Sequence, residues 1–135
     1  MILFDTSVLV EILRKNTDII SQINKLDEIP LFTTEISVME LVYGITSNKY
    51  YLNKSAKRKS RIDSIINLMA KFSVLQFDRN AAIKTAEILG SLKLKGKMID
   101  FRDGMIIGIG LSNGINSIYA LNREHFDRVP EISLY

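Results

Sequence analysis

The sequence predicts an α/β fold: a three-layer α/β/α sandwich around a mostly parallel sheet of four to five strands. Short continuous apolar runs (Met1 to Phe4, Leu31 to Phe32, Val74 to Phe77, Ser117 to Leu121) are spaced along the 135 residues. Runs of that length read as strands buried on both faces, as in a parallel sheet. Longer stretches with helical periodicity lie between them, and this alternation implies right-handed crossovers with helices on both faces. No repeat, low-complexity segment or linker interrupts the pattern, so residues 1–135 read as a single domain.

The elements follow in order. Met1-Ile2-Leu3-Phe4 is the first strand, and Thr6 or Ser7 is expected to cap a helix carrying Val8 to Leu13. Asp5 then stands at the carboxyl end of a central strand, the edge where open α/β sheets bind ligands. Thr17 or Asp18 is expected to cap a second helix through Leu26, with Ile19, Ile20, Ile23 and Leu26 at helical spacing. After Pro30, Leu31-Phe32-Thr33-Thr34 reads as the second strand. Ser37 opens the next helix or lies just inside it, and Gly44 weakens its end.

A basic segment then leads into a helix expected to carry Ile62, Ile65, Ile66 and Met69 on one side. Val74-Leu75-Gln76-Phe77 is the third strand, and Asp78-Arg79-Asn80 caps a helix from Ala81 to about Leu94. Past the Lys95-Gly96-Lys97 turn, Phe101 to Ser112 is too apolar for a loop. Its glycines, Gly104, Gly108 and Gly110, are expected to let it press against the sheet. Ser117 to Leu121 is the fourth strand, Glu124 to Phe126 a helical turn, and Ile132 to Leu134 a fifth strand.

Composition excludes several chemistries. There is no cysteine, so disulfides and thiol catalysis are out, and one histidine, His125, does not build a histidine-rich zinc site. Any metal must be bound by oxygen, which favours magnesium, manganese or calcium. No apolar run reaches membrane-span length, and the first residues show no secretory leader; a cytoplasmic protein is expected. The net charge is +3, but Lys49, Lys54, Lys57, Arg58, Lys59 and Arg61 are concentrated beside Tyr50 and Tyr51. Such a run is commonly a solvated helix face; it also suits a polyanion.

The acids are the stronger signal. Asp5 follows the first strand, Glu40 lies a turn into the helix after the second, and Asn122 follows the fourth. With parallel strands all three project from one sheet edge, and Asp103 can reach the same place, with Asp100 on its helix face. Carboxylates gathered in one pocket raise one another's pKa unless a cation offsets them. A divalent metal serving phosphodiester hydrolysis fits that need without cysteine or histidine. Taken singly, each residue has a plainer reading: Asp5 and Asp100 as helix caps, Asp103 as a first-turn acid, Glu40 as a solvated residue, Asn122 as a turn residue, and His125 as a locally packed side chain.

These residues match a known family in order and spacing. Phe4-Asp5-Thr6-Ser7-Val8-Leu9, Ser37-Val38-Met39-Glu40-Leu41-Val42-Tyr43-Gly44, Gly96 to Ile107 with Asp100 and Asp103, and Leu121-Asn122-Arg123-Glu124-His125-Phe126 together resemble the PIN-domain ribonucleases. The closest resemblance is to the VapC-type toxins of prokaryotic toxin–antitoxin pairs. It implies a magnesium- or manganese-dependent endoribonuclease, a small antitoxin partner and a homodimer. Asp5, Glu40 and Asp103 match the family's acids. Asn122 falls where many members carry a fourth acid, Asp100 is a further candidate ligand, and Thr6 and Ser7 match supporting hydroxyls. On this reading Asp5 and Asp103 hold the metal, Glu40 activates water and Asn122 positions water or phosphate. Arg14, Lys57, Arg58 and Arg61 would track RNA, with Tyr50 or Tyr51 stacking on a base. The alternatives are a catalytically inactive PIN-like RNA- or protein-binding module and, last, a phosphatase-like fold using Asp5 as nucleophile.

Overall fold

The computed structural model describes Met1–Tyr135. Five strands, β1 (Ile2–Phe4), β2 (Leu31–Thr34), β3 (Ser73–Leu75), β4 (Ser117–Tyr119) and β5 (Ser133–Leu134), form one sheet in the order β3-β2-β1-β4-β5. Every pairing is parallel, with Leu3 opposite both Phe32 and Ile118. Seven helices connect them: α1 (Thr6–Leu13), α2 (Thr17–Asn24), α3 (Glu35–Thr46), α4 (Ser55–Met69), α5 (Arg79–Leu94), α6 (Phe101–Ser112) and α7 (Glu124–Asp127). A 3-10 turn, Lys49–Tyr51, precedes α4.

The strands' alternation builds two cores, because successive side chains face opposite sides. Leu3 and Ile118 join Ile88, Leu92, Ile106, Ile107, Ile109 and Phe126 under α5, α6 and α7. Ile2, Phe4 and Tyr119 face the other way, onto Val8, Leu9, Leu41, Ile65 and Leu68 of α1, α3 and α4. The result is the expected three-layer α/β/α sandwich. Strand order reverses at β1, so the crevice at its carboxyl end is the switch point of the sheet.

Several local expectations are corrected. Asp5 itself, with extended backbone, caps α1 by accepting from the Ser7 amide, so Thr6 and Ser7 lie inside the helix. Asn16, rather than Thr17 or Asp18, caps α2, and that helix ends at Asn24. Thr34 caps α3, which runs through Gly44 to Thr46. Ile66 points to solvent at 59% exposure, while Leu68 takes its place beside Ile65 and Met69. Strand β3 stops at Leu75, short of Phe77, and β4 stops at Tyr119.

The glycines of α6 mostly meet a helix instead of the sheet. A Cβ on Gly104 would fall 2.7 Å from the Leu89 side chain, and one on Gly108 would fall 2.0 Å from Thr85 Oγ1. Only Gly110 faces the sheet, against Leu3. Leu89 against Gly104 and Thr85 against Gly108 make α5 and α6 antiparallel and unusually close.

Candidate functional site

Three helices begin near the switch point, and each delivers an acid. Asp5 caps α1 directly after β1, Glu40 stands in the second turn of α3, and Asp103 lies in the first turn of α6. Asp5 is almost fully buried, and Glu40 and Asp103 are partly buried, their side chains 20% and 23% exposed.

Each carboxylate is held by its own partners. Asp5 Oδ2 accepts from the Ser7 amide at 3.1 Å and the Ser7 hydroxyl at 2.6 Å. Ser7 Oγ in turn accepts from the Leu121 amide at 3.0 Å, tying the loop after β4 to the start of α1. Thr6 Oγ1 lies 2.9 Å from Glu40 Oε1 and 2.9 Å from Ser37 Oγ. Thr34 Oγ1 is 3.4 Å from Ser37 Oγ and accepts from the Ser37 amide. Each hydroxyl has one proton and the carboxylate has none, so the chain runs from Thr34 through Ser37 and Thr6 into Glu40. His125 Nδ1 donates to Asp103 Oδ2 at 2.5 Å, so the histidine expected to pack locally instead reaches back to α6.

The three acids share an electrostatic field. Burial pushes the Asp5 carboxyl above its ordinary range; the Ser7 bonds oppose this and the charge of Asp103 adds to it. Glu40 is also raised, first by burial, with Asp5 and Asp103 adding and the Thr6 hydroxyl and Arg102 opposing. Asp103 therefore lies close enough for its charge to disfavour ionisation of both Asp5 and Glu40, and Asp5 does the same to Glu40. They do not form a ready-made ligand cage, since no three acidic side chains come together in that geometry. Each is turned toward its own hydrogen-bond partner. One oxygen of each, Asp5 Oδ1, Glu40 Oε2 and Asp103 Oδ1, accepts no hydrogen bond of ordinary geometry.

That donor set fits a hard divalent cation. It is all oxygen, it carries more negative charge than its surroundings offset, and it keeps free lone pairs at a switch point.

The remaining candidates are placed as follows. Asn122 is exposed in the loop beyond β4, one residue past the Leu121 amide, and its side chain makes no hydrogen bond. Asp100 caps α6, and its oxygens are engaged by Arg102, whose guanidinium holds its carboxyl below the usual range. Arg102 also leans toward Glu40, with Nη1 3.7 Å from Oε2. Arg14 pairs with Glu11 at 3.1 Å. Lys57, Arg58 and Arg61 are exposed on α4. The Lys54 ammonium lies 3.6 Å from the Tyr50 ring centroid, and Lys57 Nζ donates to the Tyr50 hydroxyl, lowering its pKa. One face of Tyr50 is thus already covered by a cation.

Sequence reasoning missed Ser37 as a relay, Arg102 as a neighbour of Glu40 and His125 as a partner of Asp103. Ser37 had a signal: a hydroxyl one turn before Glu40 on the same helix face. The other two pairings join distant segments and leave no mark on periodicity.

A groove of about 1080 Å³ runs between α1, α3 and α4, and none of the acids lines it. Val10, Ile12, Leu41, Ile45 and Leu68 contribute apolar lining, and Arg14, Lys15, Arg61 and Lys71 contribute positive charge. No helix is long and apolar enough to cross a membrane.

The sequence model of a family described as "PIN domain" matches residues 2–132. A curated protein from Salmonella typhimurium, named "tRNA(fMet)-specific endonuclease VapC", is 26% identical over 132 residues, spanning 98% of this chain and 94% of its own length. Among solved structures, VapBC2 from Rickettsia felis bound to a promoter DNA fragment superposes with a TM-score of 0.85 at 19% identity, covering 100% of this chain and 98% of that one. DNA-bound VapBC from Salmonella typhimurium gives 0.84 at 24% identity, covering 99% and 96%.

Proposed function

The chain belongs to the PIN domain family, and on that premise we propose that it is an endoribonuclease, the toxin of a toxin–antitoxin pair, dependent on magnesium or manganese. The observation that carries this reading is the convergence of Asp5, Glu40 and Asp103 at the switch point, each with an oxygen left free.

Asp5 and Asp103 are the residues that would hold the cation, with Glu40 close by. When bound, a divalent cation lowers the pKa of water and offsets charge on phosphoryl oxygens. Ser7 fixes Asp5 through two bonds to one oxygen and leaves the other for ligation. His125 does the same for Asp103, as carboxylate–imidazole pairs do around metals. Thr6 pins Glu40 Oε1, so Oε2 is the atom available to take a proton from the attacking water. Burial has already raised the affinity of Glu40 for that proton. Hydrolysis then forms one P–O bond from water, breaks another, and passes a proton to the departing oxygen. Asn122, free of internal bonds, positions water or a phosphate oxygen. Asp100 is assigned to capping α6 and holding Arg102.

The groove is the proposed seat of the antitoxin. Its apolar floor and positive rim suit an amphipathic segment carrying acidic residues. A homodimer and a cytoplasmic location belong to the same reading.

The relative named above is an endonuclease specific for tRNA(fMet), and RNA with an accessible single-stranded segment is the substrate class proposed here. The testing experiment is cleavage of tRNA by the purified chain. Chelation should abolish it and added manganese should restore it; cleavage unaffected by chelation contradicts the reading. Binding makes a separate prediction. Each phosphate contact to a single strand contributes about 0.7 to the salt slope, so replacing Lys57, Arg58 and Arg61 by Ala should flatten log K against log salt by about 2. An unchanged slope would make the basic run a solvated face.

A further inference from the structure

Arg102 is a fixed cation among the carboxylates. Asp100 anchors it from one side: its oxygens accept the Arg102 amide at 2.8 Å, Nε at 3.2 Å and Nη2 at 3.5 Å. On the other side Nη1 stops 3.7 Å from Glu40 Oε2, close enough for Coulomb attraction and too far for a hydrogen bond. The guanidinium is therefore held by its Nε edge. Nη1 has no hydrogen-bond acceptor, and the side chain is 49% exposed.

Two simpler roles fit less well. An arginine serving only to brace Asp100, the cap of α6, would need no acceptor beyond it, and exposed pairs of that kind add little stability. An arginine serving only to neutralise Glu40 would close on it with a hydrogen bond. Arg102 stands off instead, its open N–H groups beside the oxygen proposed to take the proton from water.

A phosphodiester brings its own negative charge to three carboxylates. It needs cationic donors that match its non-bridging oxygens, and a guanidinium fork has that shape. The first turn of α6, where Arg102 lies, adds the positive end of a helix dipole.

We propose that Arg102 is a phosphate-binding residue of this site: its Nη hydrogens go to the non-bridging oxygens of the scissile phosphodiester, and before RNA arrives its positive charge beside Glu40 opposes binding of the divalent cation. The assignment rests on the nuclease reading and adds a substrate contact to it.

The test pairs Arg102→Gln, which removes the charge, with Arg102→Lys, which keeps the charge and loses the fork. Manganese binding is measured by calorimetry without RNA, and single-turnover RNA cleavage is measured at saturating manganese. Removing a positive neighbour should tighten manganese binding in Arg102→Gln by about threefold, the scale of one partly screened charge. Cleavage by the same variant should fall about a hundredfold, as for loss of one transition-state donor. Arg102→Lys should bind manganese like the wild type and cleave at an intermediate rate. Weaker manganese binding together with slower cleavage in Arg102→Gln overturns the proposal, since a residue that merely positions Glu40 behaves that way. Cleavage at the wild-type rate overturns it as well. If the wild type binds manganese but leaves RNA intact, the nuclease reading fails first and this assignment falls with it.

Discussion

Asp5→Asn is expected to lower RNA cleavage by about a thousandfold, while making the metal-free protein more stable at neutral pH. Asparagine keeps an acceptor for the Ser7 amide and hydroxyl, so the cap on α1 survives. The lost negative oxygen is the one proposed to bind the cation, so activity should collapse without loss of fold. Stability should move the other way, because the Asp5 pKa is raised by burial and by Asp103. For a raised carboxyl, the folded state binds its proton more tightly than the unfolded state. That stabilisation is complete below the unfolded value, near 3.8, and disappears as pH climbs through the folded value. The wild type therefore carries an electrostatic penalty at pH 7 that the variant lacks. Thermal unfolding in chelator should show Asp5→Asn melting higher at pH 7, the gap closing as pH approaches 4. A variant that melts lower at pH 7, by an amount indifferent to pH, contradicts this account of Asp5.

Gly108→Ala is the second large effect, this time on stability. The added methyl would meet Thr85 Oγ1 at 2.0 Å and the Thr85 backbone Cα at 3.0 Å, so rotation of one side chain does not relieve it. Overpacking of a buried contact costs about 1–3 kcal/mol, and the backbone approach places this case at about 3. For a domain of this size that corresponds to a midpoint lowered by roughly 10 °C. Thr85→Ala supplies the control. The Thr85 hydroxyl is buried with no hydrogen-bond partner, so its removal alone should cost little; in the double variant it removes the 2.0 Å clash but leaves the 3.0 Å approaches of the Thr85 Cα and Cβ, so the rescue should be partial. A Gly108→Ala midpoint equal to the wild type would mean that α5 and α6 are not packed this closely.

The stability and activity effects show which features of the chain are written locally. Hydrophobic runs and their spacing identify strands and helices, and α6 was legible despite three glycines because Met105 to Leu111 is too apolar to lie in a loop. Parallel topology also sends the ends of β1 and β2 to one edge, which is why the sequence could place Asp5 and Glu40 together; Asp103 approaches from the first turn of α6, which no strand end announces. Local ambiguity limited the rest. Asp5, Thr6 and Ser7 are all competent caps, and only the extended backbone at Asp5 chooses between them. Ile65 and Ile66 are equally apolar, and the exact rotation of α4 against α3 sends one inward and the other into solvent. The α6 glycines announce a close approach but not the partner, which is α5 for Gly104 and Gly108 and the sheet for Gly110. His125 with Asp103, and Arg102 with Glu40, are contacts between segments that fold together only in three dimensions. Hydropathy carries no record of them.

The central proposition is that Asp5, Glu40 and Asp103 serve a single divalent cation. Anomalous diffraction from a crystal soaked in manganese tests it most directly. The account predicts one strong peak at the carboxyl end of β1, in contact with Asp5 and Asp103 and adjacent to Glu40. An empty switch point at saturating manganese, or a peak seated on Asp100 and Glu124 instead, would contradict it.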